Sequence, residues 1–372
     1  MKTLVPPLRI CCLLLFCHIV ALKNYAQTTL PKYGITLCGA EFGENNLPGI
    51  INVDYTYPTT TDIDYFVAKG VNLIQLPIKW ERVQRSLGGE LDPQEISFIS
   101  KFIDDCNERN IKVTLVLQNF GKYRKDGADI IVGESEATAS HLVNLWTKIA
   151  KEFLPKNNIY AYSLMAEPSN MLSSVWAKTI QKVISSIRVI DTKTILLIEG
   201  NNYSNAATWV EYNDELKNLQ DPANKLLFNA HCYFDKDFSG RYKTNYDEDG
   251  ATECTGVERV MPFINWLKKN NLNGFIGEFG VPKNSKQWMQ VMNNFLEYIH
   301  DNNLGACYWA AGQWWKDYPL SIQPENYNDQ PQLIIFEQYF DKNKDISNPK
   351  TQQIWTRSIK HKNLTSHFIG TI

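Results

Sequence analysis

Ile159-Tyr160-Ala161-Tyr162-Ser163-Leu164-Met165-Ala166-Glu167-Pro168 is the stretch on which the fold turns. A run of apolar and aromatic residues this short, closed by a proline, reads as a β-strand buried on both faces, the kind found in parallel sheets. It ends on a carboxylate. Seven further runs have the same character: Tyr33 to Cys38, Asn72 to Ile78, Val113 to Leu117, Thr194 to Gly200, Leu226 to Tyr233, Gly274 to Gly280 and Gly305 to Ala310. Between them lie stretches with apolar residues three and four apart, the period of amphipathic helices: Thr60 to Lys69, Glu136 to Phe153, Ser174 to Ile190, Val257 to Lys269 and Lys286 to Asp301. One more opens on Asp92-Pro93-Gln94-Glu95, where Asp92 can cap, Pro93 suits the first helical position and Glu95 completes a capping box. Eight strands alternating with crossover helices, without a glycine-rich phosphate turn, predict an α/β protein, a single-domain (β/α)8 TIM barrel over residues 27–340. Three connections are long: Glu41 to Pro58, Asn201 to Asn224 and Asp235 to Thr255. The first and third read as following strands, on the face where barrels build active sites.

The remaining segments are residues 1–26 and 341–372. Lys2 and Arg9, an apolar run from Ile10 to Leu22, and Asn24-Tyr25-Ala26 before Gln27 have the layout of a secretory signal peptide cleaved near Ala26. The run is too short to span ~30 Å of hydrocarbon, so no membrane anchor is expected, and the protein is expected to be secreted or periplasmic. Residues 341–372 read as a polar C-terminal extension without a motif. With 38 Lys and Arg against 40 Asp and Glu, no basic surface is offered to nucleic acid. Ten tryptophans suit a surface for sugars, and a monomer is expected. Without the leader five cysteines remain, Cys38, Cys106, Cys232, Cys254 and Cys307, an odd number; most sit in apolar patterns and read as small buried hydrophobes.

HExxH, GxSxG and P-loop signatures are missing, and the six histidines never fall at metal-ligand spacing, so neither a metal nor a cofactor is expected. Asp235-Lys236-Asp237-Phe238-Ser239-Gly240 begins like a calcium loop, but Tyr246 stands where a bidentate glutamate belongs, so it reads as a polar loop. What remains is a pair of glutamates at the C-terminal ends of the fourth and seventh strands, Glu167 and Glu278. Taken singly, each is more often structural. Taken with His231, Tyr233 and Trp309 at the ends of the sixth and eighth strands, they suggest convergent polar groups in a concave site. A carboxyl separation near ~5 Å would suit a retaining glycosidase, one carboxylate as nucleophile and the other as proton shuttle. Tyr233 could keep Glu278 ionised, and Trp309 could form the floor under a sugar ring.

These residues resemble glycoside hydrolase family 5, especially its secreted bacterial and fungal endo-β-1,4-glucanases. The resemblance covers about residues 33–340. It is carried by Gly39-Ala40-Glu41-Phe42-Gly43, Leu76-Pro77 with Trp80-Glu81-Arg82, Glu167-Pro168, His231 with Tyr233, Gly277-Glu278-Phe279-Gly280, and Tyr308-Trp309-Ala310-Ala311-Gly312 with Trp314-Trp315. It implies a β-linked polysaccharide or oligosaccharide as substrate, Glu167 as acid/base and Glu278 as nucleophile. Substrate-binding positions would be His231, Tyr233, Trp309, Gln75, Gln118, Asn119, Trp80 and Trp314. This chain departs from the family's pattern at three of its positions: Gln75 replaces arginine, Gln118 replaces histidine before Asn119, and Ala166 replaces the asparagine before Glu167. The departures leave three outcomes open: a slower cellulase-like enzyme, a β-glycanase of shifted specificity, or a weak or inactive carbohydrate-binding protein on the same fold. Relatives often bridge the loop at Cys254, but no cysteine lies between Gly280 and Cys307 to meet it, so no bridge is expected there.

Overall fold

The computed structural model describes residues 33–133, 138–326 and 328–340; the expected signal peptide and C-terminal extension lie outside them. Eight parallel strands close into a barrel: β1 (Tyr33–Leu37), β2 (Leu73–Ile78), β3 (Lys112–Leu117), β6 (Ile159–Ser163), β7 (Ile195–Glu199), β8 (Leu226–His231), β9 (Gly274–Glu278) and β10 (Gly305–Ala311). These are the eight runs read from the sequence, in the expected (β/α)8 order. Helices α1 (Thr60–Ala68), α3 (Pro93–Asn107), α4 (Ala139–Phe153), α5 (Ser173–Arg188), α7 (Thr255–Asn270) and α8 (Lys286–Asp301) form the crossovers. Short α2 (Trp80–Val83) follows β2, α6 (Trp209–Asn213) follows β7, and α9 (Pro331–Phe340) follows β10. Asp92 caps α3 through Gln94 N and Glu95 N as read, but Glu95 closes no capping box. Its carboxylate accepts instead from the hydroxyls of Tyr55 and Tyr57, which ties the long β1–α1 connection to α3.

The sequence reading missed a hairpin. After β3, strands β4 (Lys122–Lys125) and β5 (Ala128–Ile131) pair antiparallel around Asp126-Gly127, whose φ values of 51° and 79° suit the tight turn that Asp-Gly favours. Glu81 anchors it by accepting from Arg124 N. Arg82 holds the β1–α1 connection by donating to the carbonyls of Ala40, Phe42 and Pro48 while its guanidinium lies 3.8 Å from the Tyr55 ring centroid. Residues 201–224 also follow a strand, β7, so all three long connections leave C-terminal strand ends.

Two kinds of packing surround the strands. Between barrel and helices lies the larger core, with Phe66, Trp146, Trp176, Trp209 and Trp288 fully buried. Inside the barrel Leu73, Ala161, Leu197, Phe275 and Cys307 form a separate apolar cluster. Because side chains alternate along a strand, the residues two further on share that inner face. They are Gln75, Ser163, Glu199, Gly277 and Trp309. Three of these, Gln75, Ser163 and Glu199, are polar, so the barrel interior gains polar groups toward its C-terminal mouth. The five cysteines among the described residues are unpaired; Cys38, Cys106, Cys232 and Cys307 are buried and Cys254 is exposed. Among the described residues no helix is long and apolar enough to cross a membrane.

Candidate active site

Glu167 sits four residues beyond β6 with φ of +48°, a left-handed conformation that costs an L-residue roughly 1 kcal/mol unless neighbours hold it. Its N–H donates to Glu199 Oε2 at 2.8 Å. Its side chain turns into the mouth, where Glu167 Oε1 meets His231 Nδ1 at 2.7 Å. His231 is aimed there by a register shift: Ala230 pairs with Ile276, but His231 pairs with Glu278, which leaves Gly277 as an extra residue on β9. A Cβ at Gly277 would lie 2.5 Å from Asn229 Nδ2, so a larger residue there would displace that amide.

Glu278 ends β9 and is nearly buried. Tyr233 donates its hydroxyl to Glu278 Oε2 at 2.7 Å, and His231 Nδ1 lies 3.5 Å from the same oxygen. One carboxylate oxygen from each glutamate and one ring nitrogen of His231 fall within 4.8 Å of one another. The ring hydrogen-bonds the Glu167 carboxylate and stands 3.5 Å from that of Glu278, the arrangement of a proton-transfer site. Burial pushes Glu278 up to about 8, with Glu167 and Glu199 adding to the rise and His231 and Tyr233 opposing it. For His231 burial alone would favour the neutral ring, but Glu278, Glu199 and Glu167 outweigh it and raise its pKa well above the usual value. A proton belongs more firmly on His231 than on Glu278, because both ring nitrogens face carboxylates whereas Glu278 accepts from a hydroxyl.

The other residues expected at the site divide. Trp309 is partly exposed on β10, its ring centroid 5.8 Å from that of Trp315. Trp315 in turn stacks on Tyr318 at 4.3 Å and meets Phe42 edge-on at 4.8 Å, so an aromatic wall runs from the eighth barrel strand to the β1–α1 connection. Trp314 lies half-exposed in the same short turn. Gln75 is buried inside the barrel, its Nε2 3.4 Å from Gly277 O, so it touches the backbone leading to Glu278. Gln118 follows β3 at the mouth with its Oε1 buried and without a hydrogen-bond partner. Trp80 and Asn119 depart from expectation. The Trp80 ring is wholly buried against Tyr123 with its N–H on Gln84, and offers no face to a sugar. Asn119 uses its amide on Trp80 N, Glu81 and Lys122 O, so it holds the hairpin instead. Glu199 and Tyr318 were not singled out from the sequence, and Trp315 was quoted there beside Trp314 without a place in the site. Glu199 carried a legible signal: a carboxylate at an inward-facing position of a strand that is otherwise apolar.

A closed parallel barrel with two glutamates, a histidine and a tyrosine converging beside an aromatic wall at its C-terminal mouth defines the glycosidase class of barrel enzymes. The cellulase family model, glycosyl hydrolase family 5, matches residues 37–314, and the chain belongs to that family: it is a glycoside hydrolase. It is 33% identical over 307 residues to endo-β-1,4-glucanase B of Emericella nidulans, covering 82% of this chain and 88% of the relative. Among solved structures, Pseudomonas stutzeri endoglucanase Cel5A in complex with cellobiose superposes with a TM-score of 0.78 at 33% identity, covering 84% of this chain and 95% of that one. XacCel5A in complex with cellopentaose gives a TM-score of 0.78 at 35% identity over 84% and 99%.

Proposed function

We propose that the protein is a secreted endo-β-1,4-glucanase that cleaves cellulose-like glucan chains with retention of anomeric configuration. The observation that carries this is the meeting of Glu167 and Glu278 within 4.8 Å, with His231 between them. That spacing is close to the ~5–5.5 Å of glycosidases that form a covalent intermediate and well short of the ~6.5–9.5 Å by which inverting enzymes seat a water on the far side of the sugar. In the first half-reaction Glu278 attacks the anomeric carbon and the glycosidic bond breaks, while Glu167 gives its proton to the departing oxygen. In the second, Glu167 takes a proton from water, the hydroxide attacks the anomeric carbon, and Glu278 leaves. Tyr233 fixes the Glu278 carboxylate for attack, and the Trp309 ring forms the floor under the sugar that is cut. Cellobiose and cellopentaose in the two solved relatives support a β-1,4-glucose chain as the ligand class. The leader supports export.

The polar partners of the cut sugar differ from those the family resemblance implies. Ala166 is buried and contributes no side-chain donor beside Glu167. Loss of one oriented donor to a transition state costs ~3 kcal/mol, which slows turnover or favours a sugar that needs no such contact. Purified mature protein should release reducing ends from soluble β-1,4-glucan faster than from mannan or xylan, with viscosity falling early and the β-anomer forming first. Glu278→Gln should abolish release, and Glu167→Gln should lower it by about 10²–10⁴-fold. Background release by the unaltered protein, or full activity in Glu278→Gln, rejects the assignment; preference for mannan or xylan shifts it to another β-glycan.

A further inference from the structure

Among the described residues Glu199 at the end of β7 is as deeply buried as any carboxylate, with 1% of its surface exposed, and no Lys or Arg pairs with it. Its oxygens are fully used. Oε1 accepts from Ser163 Oγ at 2.6 Å and Asn229 Nδ2 at 2.9 Å; Oε2 accepts from Glu167 N at 2.8 Å and lies 3.3 Å from His231 Nε2. Ser163 Oγ, Asn229 Nδ2 and Glu167 N are all donors to it, so towards them the carboxylate acts purely as an acceptor. A buried anion needs a counter-charge, since an isolated one is too costly to keep. The available cation is the His231 ring.

That ring is enclosed on all sides by groups that favour a charge on it. Glu167 beyond β6 takes Nδ1, Glu199 of β7 faces Nε2, and Glu278 of β9 stands 3.5 Å from Nδ1. Two residues beyond its strand, Tyr233 spends its hydrogen on Glu278. The backbone bonds His231 N to Ser204 O and Ala206 N to His231 O lock the ring's base to the β7–α6 connection. With a carboxylate oxygen at each nitrogen, the ring is placed to donate from both. Among the described residues no Lys or Arg forms an ion pair with Glu167 or Glu278 either, so His231 is the positive charge of the whole cluster.

We propose that Glu199 is a positioning residue of this active site: its carboxylate holds the His231 ring as an imidazolium between Glu167 and Glu278 and, through the Glu167 N–H, fixes the left-handed backbone that aims Glu167 at the substrate. This deepens the assignment of Glu167 and Glu278 as the reacting pair and rests on it. The cation favours the ionised form of Glu278 before attack. Glu167 is left as the group whose proton reaches the departing oxygen. Gly277 belongs to the same device, because the space it leaves is filled by the Asn229 amide that steadies Glu199.

The test is Glu199→Gln in the full-length protein, which keeps size and shape but removes the charge. Nitrogen-15 spectra of histidine-labelled protein should show His231 with both nitrogens protonated at neutral pH in the unaltered enzyme, and its titration about one pH unit or more lower in Glu199→Gln. On soluble β-1,4-glucan the variant should lose about tenfold or more in kcat with KM changed less than about threefold, and the alkaline limb of kcat should move to lower pH. A purely structural role would lower melting temperature without moving the limb or the His231 titration, and that outcome overturns the proposal. A spectrum of a neutral His231 tautomer in the unaltered protein overturns it even if Glu199→Gln does not fold. Because the spectra need no substrate, the two failures are separable: loss of glucanase activity in the unaltered protein rejects the reading of the enzyme, and a neutral ring rejects the role of Glu199.

Discussion

Tyr233 donates its hydroxyl to Glu278 Oε2 at 2.7 Å across the barrel mouth, from one strand end to the next. A donor aimed at a carboxylate stabilises its ionised form. Tyr233→Phe keeps the ring and removes that one interaction. Hydrogen bonds to charged groups contribute ~1.5–3 kcal/mol, so kcat/KM should fall by about ten- to a hundredfold. The acidic limb of the pH profile should move to higher pH, because Glu278 then holds its proton more tightly. An unmoved limb would show that Tyr233 serves only to pack.

Gly240 lies against the same ring. Its φ is +69°, and a Cβ there would stand 2.7 Å from Tyr233 Cδ1 and Cε1. Gly240→Ala should destabilise the fold by about 1–3 kcal/mol through strain and overpacking. By displacing the phenol it should also shift the acidic limb in the same direction as Tyr233→Phe. Thermal melting and a pH profile on one preparation test both effects; a stability loss with an unshifted limb would mean that the loop yields and the ring does not.

Stability should fall as pH rises through neutrality. Burial and neighbouring carboxylates raise Glu278 from 4.5 to about 8, and the surrounding carboxylates raise His231 from 6.5 against its burial. Between these values the folded protein holds protons that the unfolded chain releases. Their contribution is complete below the unfolded pKa and disappears as pH passes the folded one, at no more than about 1.4 kcal/mol per pH unit for each proton. Urea unfolding at about pH 5 and about pH 8 reads the slope, which should be shallower in Glu278→Gln. An equal slope in that variant would place the titration elsewhere.

Arg82 governs the connection that carries Phe42 to the aromatic wall. It is 1% exposed and donates to three backbone carbonyls. Arg82→Ala strands those acceptors and empties the space over Tyr55, which should cost about 3–5 kcal/mol in denaturant unfolding. Below its melting point the variant should lose affinity for longer glucan chains before it loses kcat, as Phe42 no longer supports Trp315. Unchanged stability would mean that water replaces the guanidinium.

The eight barrel strands were legible because each is a continuous apolar run with its own end signal, and burial on both faces leaves little room for another reading. The β4–β5 hairpin was not, since Lys122 to Lys125 is polar and only Asp126-Gly127 marks the turn. Trp80 was misplaced for a related reason. Its neighbourhood resembles a binding motif, but an indole with a buried N–H partner in Gln84 is core, and nothing in the order of residues reports that partner. Cys38, Cys106, Cys232 and Cys307 were read correctly as buried thiols because apolar patterns surround them.

Sequence alone placed Glu167 and Glu278 at strand ends, for strand periodicity and its termination are local properties. Only barrel closure decided their chemistry. His231 stands 64 residues from Glu167, and Glu199 lies 30 residues from Asn229, yet each pair shares a hydrogen bond. Alternation along a strand tells which face a side chain takes, but not which other strand's face it will meet. That depends on curvature, on the register shift at Gly277, and on how four ionisable groups divide their protons once water has been removed from between them.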